Sequence, residues 1–347
     1  MAPKLKIEAL LWSACALAVL AASPPRAQAQ ATEVVLHDFA SPPKGEGLWA
    51  GVIRDKTSNL YGTAVDGGPA NLGVVFKVDT AGHTTVLHGF TGGSDGERPY
   101  AGVVGDSAGN LYGTAYLGGT YDAGIVYKVD AAGHETVLYT FTGGSDGGMP
   151  IAGVTLDSAG NLYGCASAGG SANDGVVFKL DPTGQETVLH NFTGSPGDGA
   201  SPQAAPLLDS AGNLYGTTYS GGTFGGSAGT VWKVDATGHE TVLYNFGGAD
   251  GYAPYAGVVR DSAGNLFGAT SGGGAGGNGG TVYKLDTAGN QTVLYSFTGG
   301  ADGGLPIGGV VRDSAGNLYG ATETGGAAGA NRPNRPRDGA LHLHGWG

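Results

Sequence analysis

Carboxylates, histidines and aromatic residues recur through this chain in register, so the first question is whether any set of them could form a reactive site. Asp95, Asp146, Asp198, Asp250 and Asp302 each precede a glycine in related segments such as TGGSDG. Carboxylates in surface loops can hold calcium, but each of these stands alone and lacks the alternating acidic spacing of a loop site. Asp-Gly in that setting reads as turn chemistry. His83, His134 and His239 follow a turn glycine, and His37, His88 and His190 alternate with tyrosine in a β-like segment. A histidine metal centre would need several of these to converge from different parts of the chain; only His342 and His344 are spaced to grip an ion from one strand. Cys165 takes a slot held elsewhere by Thr63, Thr114, Thr217, Ala269 and Ala321, which suits a small buried residue better than a nucleophile. There is no G-x-S-x-G, no HExxH and no phosphate loop. No catalytic residue, metal or cofactor is therefore expected.

Binding chemistry is better represented. Trp49, Tyr100, Ile151, Gln203, Tyr255 and Ile307 occupy one position that varies while its neighbours do not. Aromatic faces with polar groups nearby can stack on sugars or grip a peptide, which makes Trp49, Tyr100 and Tyr255, with Gln203, the first ligand-binding candidates. Glycine-rich stretches further along add Tyr116, Tyr121 and Tyr219, together with Asp66, Asp122, Asn173, Asp174, Phe224 and Asn278. The alternative is that the first set plugs a channel and packs on its neighbours, and that the second set merely drifts in unconstrained loops.

The elements that must position these residues follow from a repeat. The octapeptide DSAGNLYG starts at Asp106, Asp157, Asp209 and Asp313, with DSAGNLFG at Asp261 and DKTSNLYG at Asp55. The asparagine of this motif stands at 59, 110, 161, 213, 265 and 317, a period of 51 or 52 residues. Such self-similarity signals a repeat architecture. One unit reads as four β-segments, YAGVVGD, NLYGTAY, GIVYKVD and TVLYTF, each rich in β-branched or aromatic residues and bounded by turn formers. Asp-x-x-Gly links the first segment to the second and the third to the fourth, and suits a three-residue hairpin ending in a left-handed residue. Ser58 replaces the glycine in the first copy, where strain of about 1 kcal/mol or a shifted turn is expected.

Four antiparallel strands per repeat, six times over, predict an all-β fold: a six-bladed β-propeller over residues 30–326. The TVLYxF segment also occurs six times, but its first copy, VVLHDF, precedes everything else, and the last NLYG has none after it. Residues 34–39 are thus expected to pair into the unit at 306–322 as its outer strand, closing the ring and leaving no open edge. A monomer is expected. The third strand lacks a sixth copy, and residues 327–347 read as an irregular or disordered tail, or as a degenerate strand at residues 339–344.

The ordered set DSAGNLYGTT, a glycine-rich stretch, GTVYKVD and ETVLYNF resembles the Gloeo/Verruco (GloVer) tandem repeat across residues 34–322. The resemblance implies a bacterial extracellular protein, often with a C-terminal sorting signal, and implies no known reaction or ligand. Neither a hydrophobic anchor with a basic end nor an LPxTG-like signal is found at this C-terminus. AGVVRDSAGNLYGAT-like stretches are more distantly similar to the inner hairpin of NHL-type propellers, which supports an inner-to-outer strand order of AGVV, NLYG, VYKVD and TVLYxF. In that order the Asp-x-x-Gly hairpins share one face, and the GGSDGxxP and glycine-rich loops share the other, where propellers usually bind.

Lys4 and Lys6, an apolar run from Ala9 to Ala22, and Ala27-Gln28-Ala29 read as a secretory signal peptide over residues 1–29. The apolar run is shorter than the ~20 residues of a membrane span. Its removal leaves 14 basic and 28 acidic residues, a net charge of −14. That excludes nucleic acid as a natural partner and suits a secreted, extracellular or periplasmic protein. One cysteine remains, so no internal disulfide is expected. Three functions stay open: an exported module binding glycan or protein, a lactonase-like metal-dependent hydrolase, and a purely structural surface repeat. The hydrolase would need Glu, Asp or Asn in the channel, whereas the inner segments read AGVI, AGVV, AGVT, AAPL, AGVV and GGVV.

Overall fold

Each sheet begins at the Asp-x-x-Gly-Asn turn. In the computed structural model, which describes residues 45–275 and 278–325 within a unit spanning His37–Gly347, Asp106 Oδ1 accepts the N–H groups of Ala108 and Asn110, both at 2.9 Å. Its Oδ2 accepts from Asn110 Nδ2 at 2.7 Å and from the Tyr112 hydroxyl at 3.0 Å. Gly109 supplies the left-handed residue, at φ +86°. The Asp, Gly, Asn and Tyr of the octapeptide are therefore one hydrogen-bonded turn, repeated at Asp157 and Asp209. In the first copy the turn does not shift. Ser58 itself adopts φ +71° and its N–H bonds the Asp55 carbonyl at 3.1 Å.

Five antiparallel sheets of four strands follow, each in the order inner, second, third, outer. Unit two is Val104–Gly105, Leu111–Ala115, Ile125–Val129 and Glu135–Thr140. Unit three is Val154–Leu156, Leu162–Ala166, Val176–Leu180 and Glu186–Asn191. Units one, four and five repeat the pattern, and the sixth contributes Val310–Arg312 paired with Leu318–Gly320. Among the described residues there is no helix, and so none long and apolar enough to cross a membrane. The outer strand expected at 34–39 and the tail read at 327–347 fall outside the described residues.

Inner strands are shorter than the sequence suggests, at two or three residues. In units two to six a proline interrupts the pairing upstream, whereas unit one has Leu48 in that slot and an inner strand equally short. The backbone pairs once with the second strand, as at Glu97 and Leu117, then meets Pro99, which has no N–H to continue the ladder. Pairing resumes only at Val104.

Packing joins the units to one another as well as the strands within each. One core cluster joins Val126 and Phe141 of unit two to Phe178, Val176 and Leu162 of unit three. The phenylalanine that follows each of the first four outer strands meets the third-strand aromatic of the next unit edge to face: Phe90 on Tyr127 at 5.1 Å, Phe141 on Phe178 at 5.2 Å, Phe192 on Trp232 at 5.7 Å and Phe246 on Tyr283 at 5.1 Å. The last glycine of NLYG makes room for that aromatic. A methyl group on Gly216 would lie 2.3 Å from Trp232 Cζ2, so no side chain fits there without repacking. Buried threonines add polar ties, with Thr114 Oγ1 donating to the Ala152 carbonyl at 2.8 Å and Thr217 Oγ1 to that of Ala256 at 2.9 Å. Cys165 fills this slot in unit three, fully buried, and burial pushes its thiol far above the reactive range.

Candidate functional site

The variable position sits at the end of an unusual loop. Two residues before it stands a non-glycine residue in the left-handed region: Arg98, Met149, Ser201, Ala253 and Leu305, with φ between +52° and +56°. Each precedes a proline, and the conformation costs about 1–2 kcal/mol for an L-residue. Hydrogen bonds on both sides hold it. The Met149 N–H reaches back to the Ala123 carbonyl of the previous unit at 2.8 Å, and its carbonyl accepts from Ser167 N at 3.3 Å. The next residue, Pro150, presses on Gly124 of the previous unit, where an added Cβ would lie 2.4 Å from Pro150 Cδ. The position is thus carried on a braced backbone, a rigid platform for a side chain.

The aromatic candidates meet around the platforms of Tyr100 and Tyr255, while Trp49 follows Gly47, at φ +68°, and Leu48, which stands where the other loops have proline. Trp49 and Tyr100 stand edge to face at 5.7 Å, and Tyr100 continues to Tyr116 at 5.4 Å. The Tyr116 hydroxyl points to Met149 Sδ at 3.5 Å. Trp49 is 55% exposed, Tyr100 and Tyr116 half-buried. Beside Trp49, Arg98 Nη1 pairs with Asp66 Oδ1 at 3.5 Å. In units four and five Tyr219 and Tyr255 are tilted together at 4.7 Å. Burial first, then hydrogen bonding to Tyr219 and the Glu323 charge, push the Tyr255 hydroxyl up, so it stays a neutral donor at physiological pH.

Other candidates separate from this arc. Gln203 takes the equivalent platform position, half-buried. Tyr121 and Phe224 project from the long loops at 61% and 68% exposure, and among the described residues Tyr121 meets no other aromatic ring. Asp122 and Asn173 are turn residues: each is left-handed, at φ +54° and +62°, and its side-chain Oδ1 accepts the N–H of Gly118 or Gly169 at 3.0 Å. Sequence reasoning did not foresee the clefts on the opposite, hairpin face. One of about 560 Å³ is lined by Val104, Asp106, Ser107, Tyr112, Thr155 and Asp157, between units two and three.

Nor does the sequence reveal the acidic junctions between outer strands. The interblade aspartates are loop caps, as their Asp-Gly setting suggests: Asp146 Oδ2 accepts from Thr142 N at 2.7 Å. The preceding outer strand sends a tyrosine or histidine to the same carboxylate, Tyr139 to Asp146 at 3.1 Å and His190 Nε2 to within 3.4 Å of Asp198. After Asp95, Asp146 and Asp198 the next outer strand opens with a glutamate. Burial, and then the charge of the neighbouring aspartate, push Glu135, Glu186 and Glu240 up to about 7.

These shifts give a pH dependence. An acid raised in the folded state contributes stability below its unfolded value, which is lost as pH rises to the folded one, here from 4.5 to about 7 for Glu135 and Glu186. The turn aspartates act in the opposite sense. Burial would raise Asp106, but bonds from Asn110, Tyr112 and Ala108 outweigh it and hold the group below its ordinary value. Its contribution is present above the unfolded value and disappears as pH falls through the folded one. The melting temperature is expected to peak at about pH 5 and to decline toward neutrality, and Glu135→Gln with Glu186→Gln should flatten that decline. A thermal-melt series from acid to neutral pH checks both.

Interlocked four-stranded antiparallel units with loops bearing variable aromatics define a β-propeller-like repeat protein. The Gloeobacter/Verrucomicrobia repeat model matches residues 26–204 and again residues 106–332, and the chain belongs to that family. No curated protein sequence matches it. Among solved structures, the extracellular domain of BT4673 from B. thetaiotaomicron is similar at 16% identity and a TM-score of 0.52, covering 80% of this chain and 34% of that one, so the chain spans about a third of its length. XC5397, a gluconolactonase from Xanthomonas campestris, aligns at 14% identity and a TM-score of 0.46, over 82% and 84% of the two chains. PorZ, a surface component of the type-IX secretion system of Porphyromonas gingivalis, aligns at 12% identity and a TM-score of 0.47, over 80% and 38%. At such identities the likeness concerns fold alone.

Proposed function

We propose that the chain is an exported binding module whose ligand is a glycan, held across the aromatic loop face. The observation that carries this reading is the Trp49–Tyr100–Tyr116 arc, set edge to face about the braced platform of Tyr100 and partly open to solvent. Aromatic rings offer sugar C–H faces a rigid apolar surface, and the Arg98–Asp66 pair beside Trp49 supplies hydroxyl partners. A hydrolase reading lacks support of this kind, since the inner strands of the described residues carry no Asp, Glu, Asn or Gln.

A glycan array probed with residues 30–347 tests the proposal. Changing Trp49, Tyr100 and Tyr255 together to alanine should weaken any hit by about 30-fold or more, the consequence of losing a single hot spot of about 2 kcal/mol. Undiminished binding by the triple variant would refute the site, and binding of a protein partner without any glycan would refute the ligand class.

We further propose that the ring carrying this face closes as six blades, with the first copy of the TVLYxF segment, VVLHDF, supplying the outer strand of the sixth. Support comes from the five complete sheets, the two paired strands of the sixth, and the six copies of the TVLYxF segment. Deleting residues 33–39 should lower the melting temperature and expose an edge that promotes association; a monomer of unchanged stability would contradict closure.

A further inference from the structure

At three of the outer-strand junctions a tyrosine hydroxyl donates to the loop aspartate: Tyr139 to Asp146, Tyr244 to Asp250 and Tyr295 to Asp302. There the protein satisfies the carboxylate with its own proton donor. Histidine replaces tyrosine at two junctions, His88 beside Asp95 at 3.6 Å and His190 beside Asp198 at 3.4 Å, and only at the second, between units three and four, does the glutamate of the next outer strand converge with them. His190 Nε2 comes within 3.4 Å of Asp198 Oδ2 without forming a hydrogen bond. Glu240, from the facing outer strand, brings its Oε1 to the same place, and ligand atoms of His190, Asp198 and Glu240 all lie within 4.8 Å of one another. Both His190 Nε2 and Glu240 Oε1 are shut off from solvent and have no hydrogen-bond partner, as are His88 Nε2, Glu135 Oε1 and Glu186 Oε1 at the other junctions; the convergence of three ligand atoms sets this junction apart among the described residues. Buried polar atoms left this way are costly, and such atoms call for a ligand that satisfies them together.

We propose that His190, Asp198 and Glu240 form a site for a divalent transition-metal ion of the zinc class, which clasps the outer strands of units three and four. One imidazole nitrogen and two carboxylate oxygens are the donor set of such ions, whereas calcium takes oxygen alone. Around a tetrahedral zinc, ligand atoms sit about 3.3 Å apart, so the three side chains need draw together by roughly an ångström. Thr193 orients the aspartate, its N–H and Oγ1 donating to Asp198 Oδ2 at 2.8 and 3.1 Å, while Gly199 N holds Oδ1 at 2.6 Å. Two carboxylates balance the ion's charge, which removes the repulsion between Asp198 and Glu240. The three ligands come from an outer strand, the interblade loop and the next outer strand, so the ion ties together elements otherwise joined by packing.

The chain supplies its own well-folded controls. His190→Tyr installs the residue found at Tyr139 and Tyr244, and Glu240→Gln the one found at Gln291. The mature protein, desalted after incubation with zinc chloride, is assayed for bound zinc by elemental analysis and for melting temperature with and without zinc. About one ion per chain should be lost in either variant and kept in His88→Tyr. Zinc at a hundredfold excess over Kd should raise the wild-type melting temperature by about 5 °C and leave both variants unmoved. Zinc retained by His190→Tyr, zinc lost instead in His88→Tyr, no uptake by the wild-type protein, or an equal response to calcium would each overturn the assignment.

Discussion

Phe192→Ala is expected to lower the free energy of unfolding by about 3–5 kcal/mol, the range for a large aromatic removed from a rigid core. Phe192 is fully buried, and its ring lies edge to face with His190 at 4.9 Å and with Trp232 of the next unit at 5.7 Å. Its cluster spans both units, joining Cys165 and Val177 to Leu214, Trp232 and Val234. Truncation therefore opens a void between units that neither can fill alone. Urea unfolding followed by tryptophan fluorescence measures the loss, because Trp232 reports on the same contact. A loss below about 1 kcal/mol would mean that the aromatic series does not bind the units together.

Gly124→Ala is the second large effect, and it acts through the backbone. Gly124 has φ +92°, and its Cβ would lie 2.4 Å from Pro150 Cδ and 2.7 Å from the Ala115 carbonyl. The left-handed conformation costs about 1–2 kcal/mol and the overlap about 1–3 kcal/mol more. Because Pro150 follows the braced Met149, relief of the clash must move the platform loop of unit three. Gly143→Ala makes a matched comparison: it also has a positive φ, +75°, but its Cβ would meet only Ala123 Cβ at 3.4 Å. Calorimetric melts should rank Gly124→Ala well below Gly143→Ala. Equal melting temperatures would show that the proline contact carries no weight.

Much of this architecture is legible in the sequence because the chain states it repeatedly. The Asp, Gly and Asn of DSAGNLYG carry standard turn chemistry, and alternation of β-branched and aromatic residues marks the strands. The order of the four strands follows from the hairpins. What is not legible arises where backbone conformation is imposed by neighbours. Arg98, Met149, Ser201, Ala253 and Leu305 share no side-chain chemistry, yet all adopt a left-handed conformation, because hydrogen bonds from two units fix the loop. Asp122 and Asn173 looked like free loop residues and are turn formers, a role their position after the glycine pair could have suggested.

The candidate site divides similarly. Trp49, Tyr100 and Tyr255 are visible as variation at one position of an otherwise uniform repeat, and Tyr116 and Tyr219 join them because the second strand ends beside that platform. The His190, Asp198 and Glu240 cluster escapes linear reading. Its members come from three elements and belong to two different repeats, so each alone looks like a packing or turn residue. Laying successive ETVLHNF and ETVLYNF segments side by side as neighbouring outer strands would have brought the glutamate opening one toward the aspartate that follows the other.

DSAGNLYG itself marks architecture: its residues close a hairpin, and its last glycine accepts an aromatic ring from the neighbouring strand. Function is assigned instead to what varies on the opposite face. Hydrogen–deuterium exchange of residues 30–347, with and without a glycan selected on the array, tests that assignment most directly. Protection confined to the platform loops at residues 98–100 and 253–255 and to the strand ends at Tyr116 and Tyr219 is the predicted result. Protection at the hairpins of Asp106–Gly109 and Asp157–Gly160, with the aromatic loops unchanged, would place the ligand in the clefts of the other face and contradict the account.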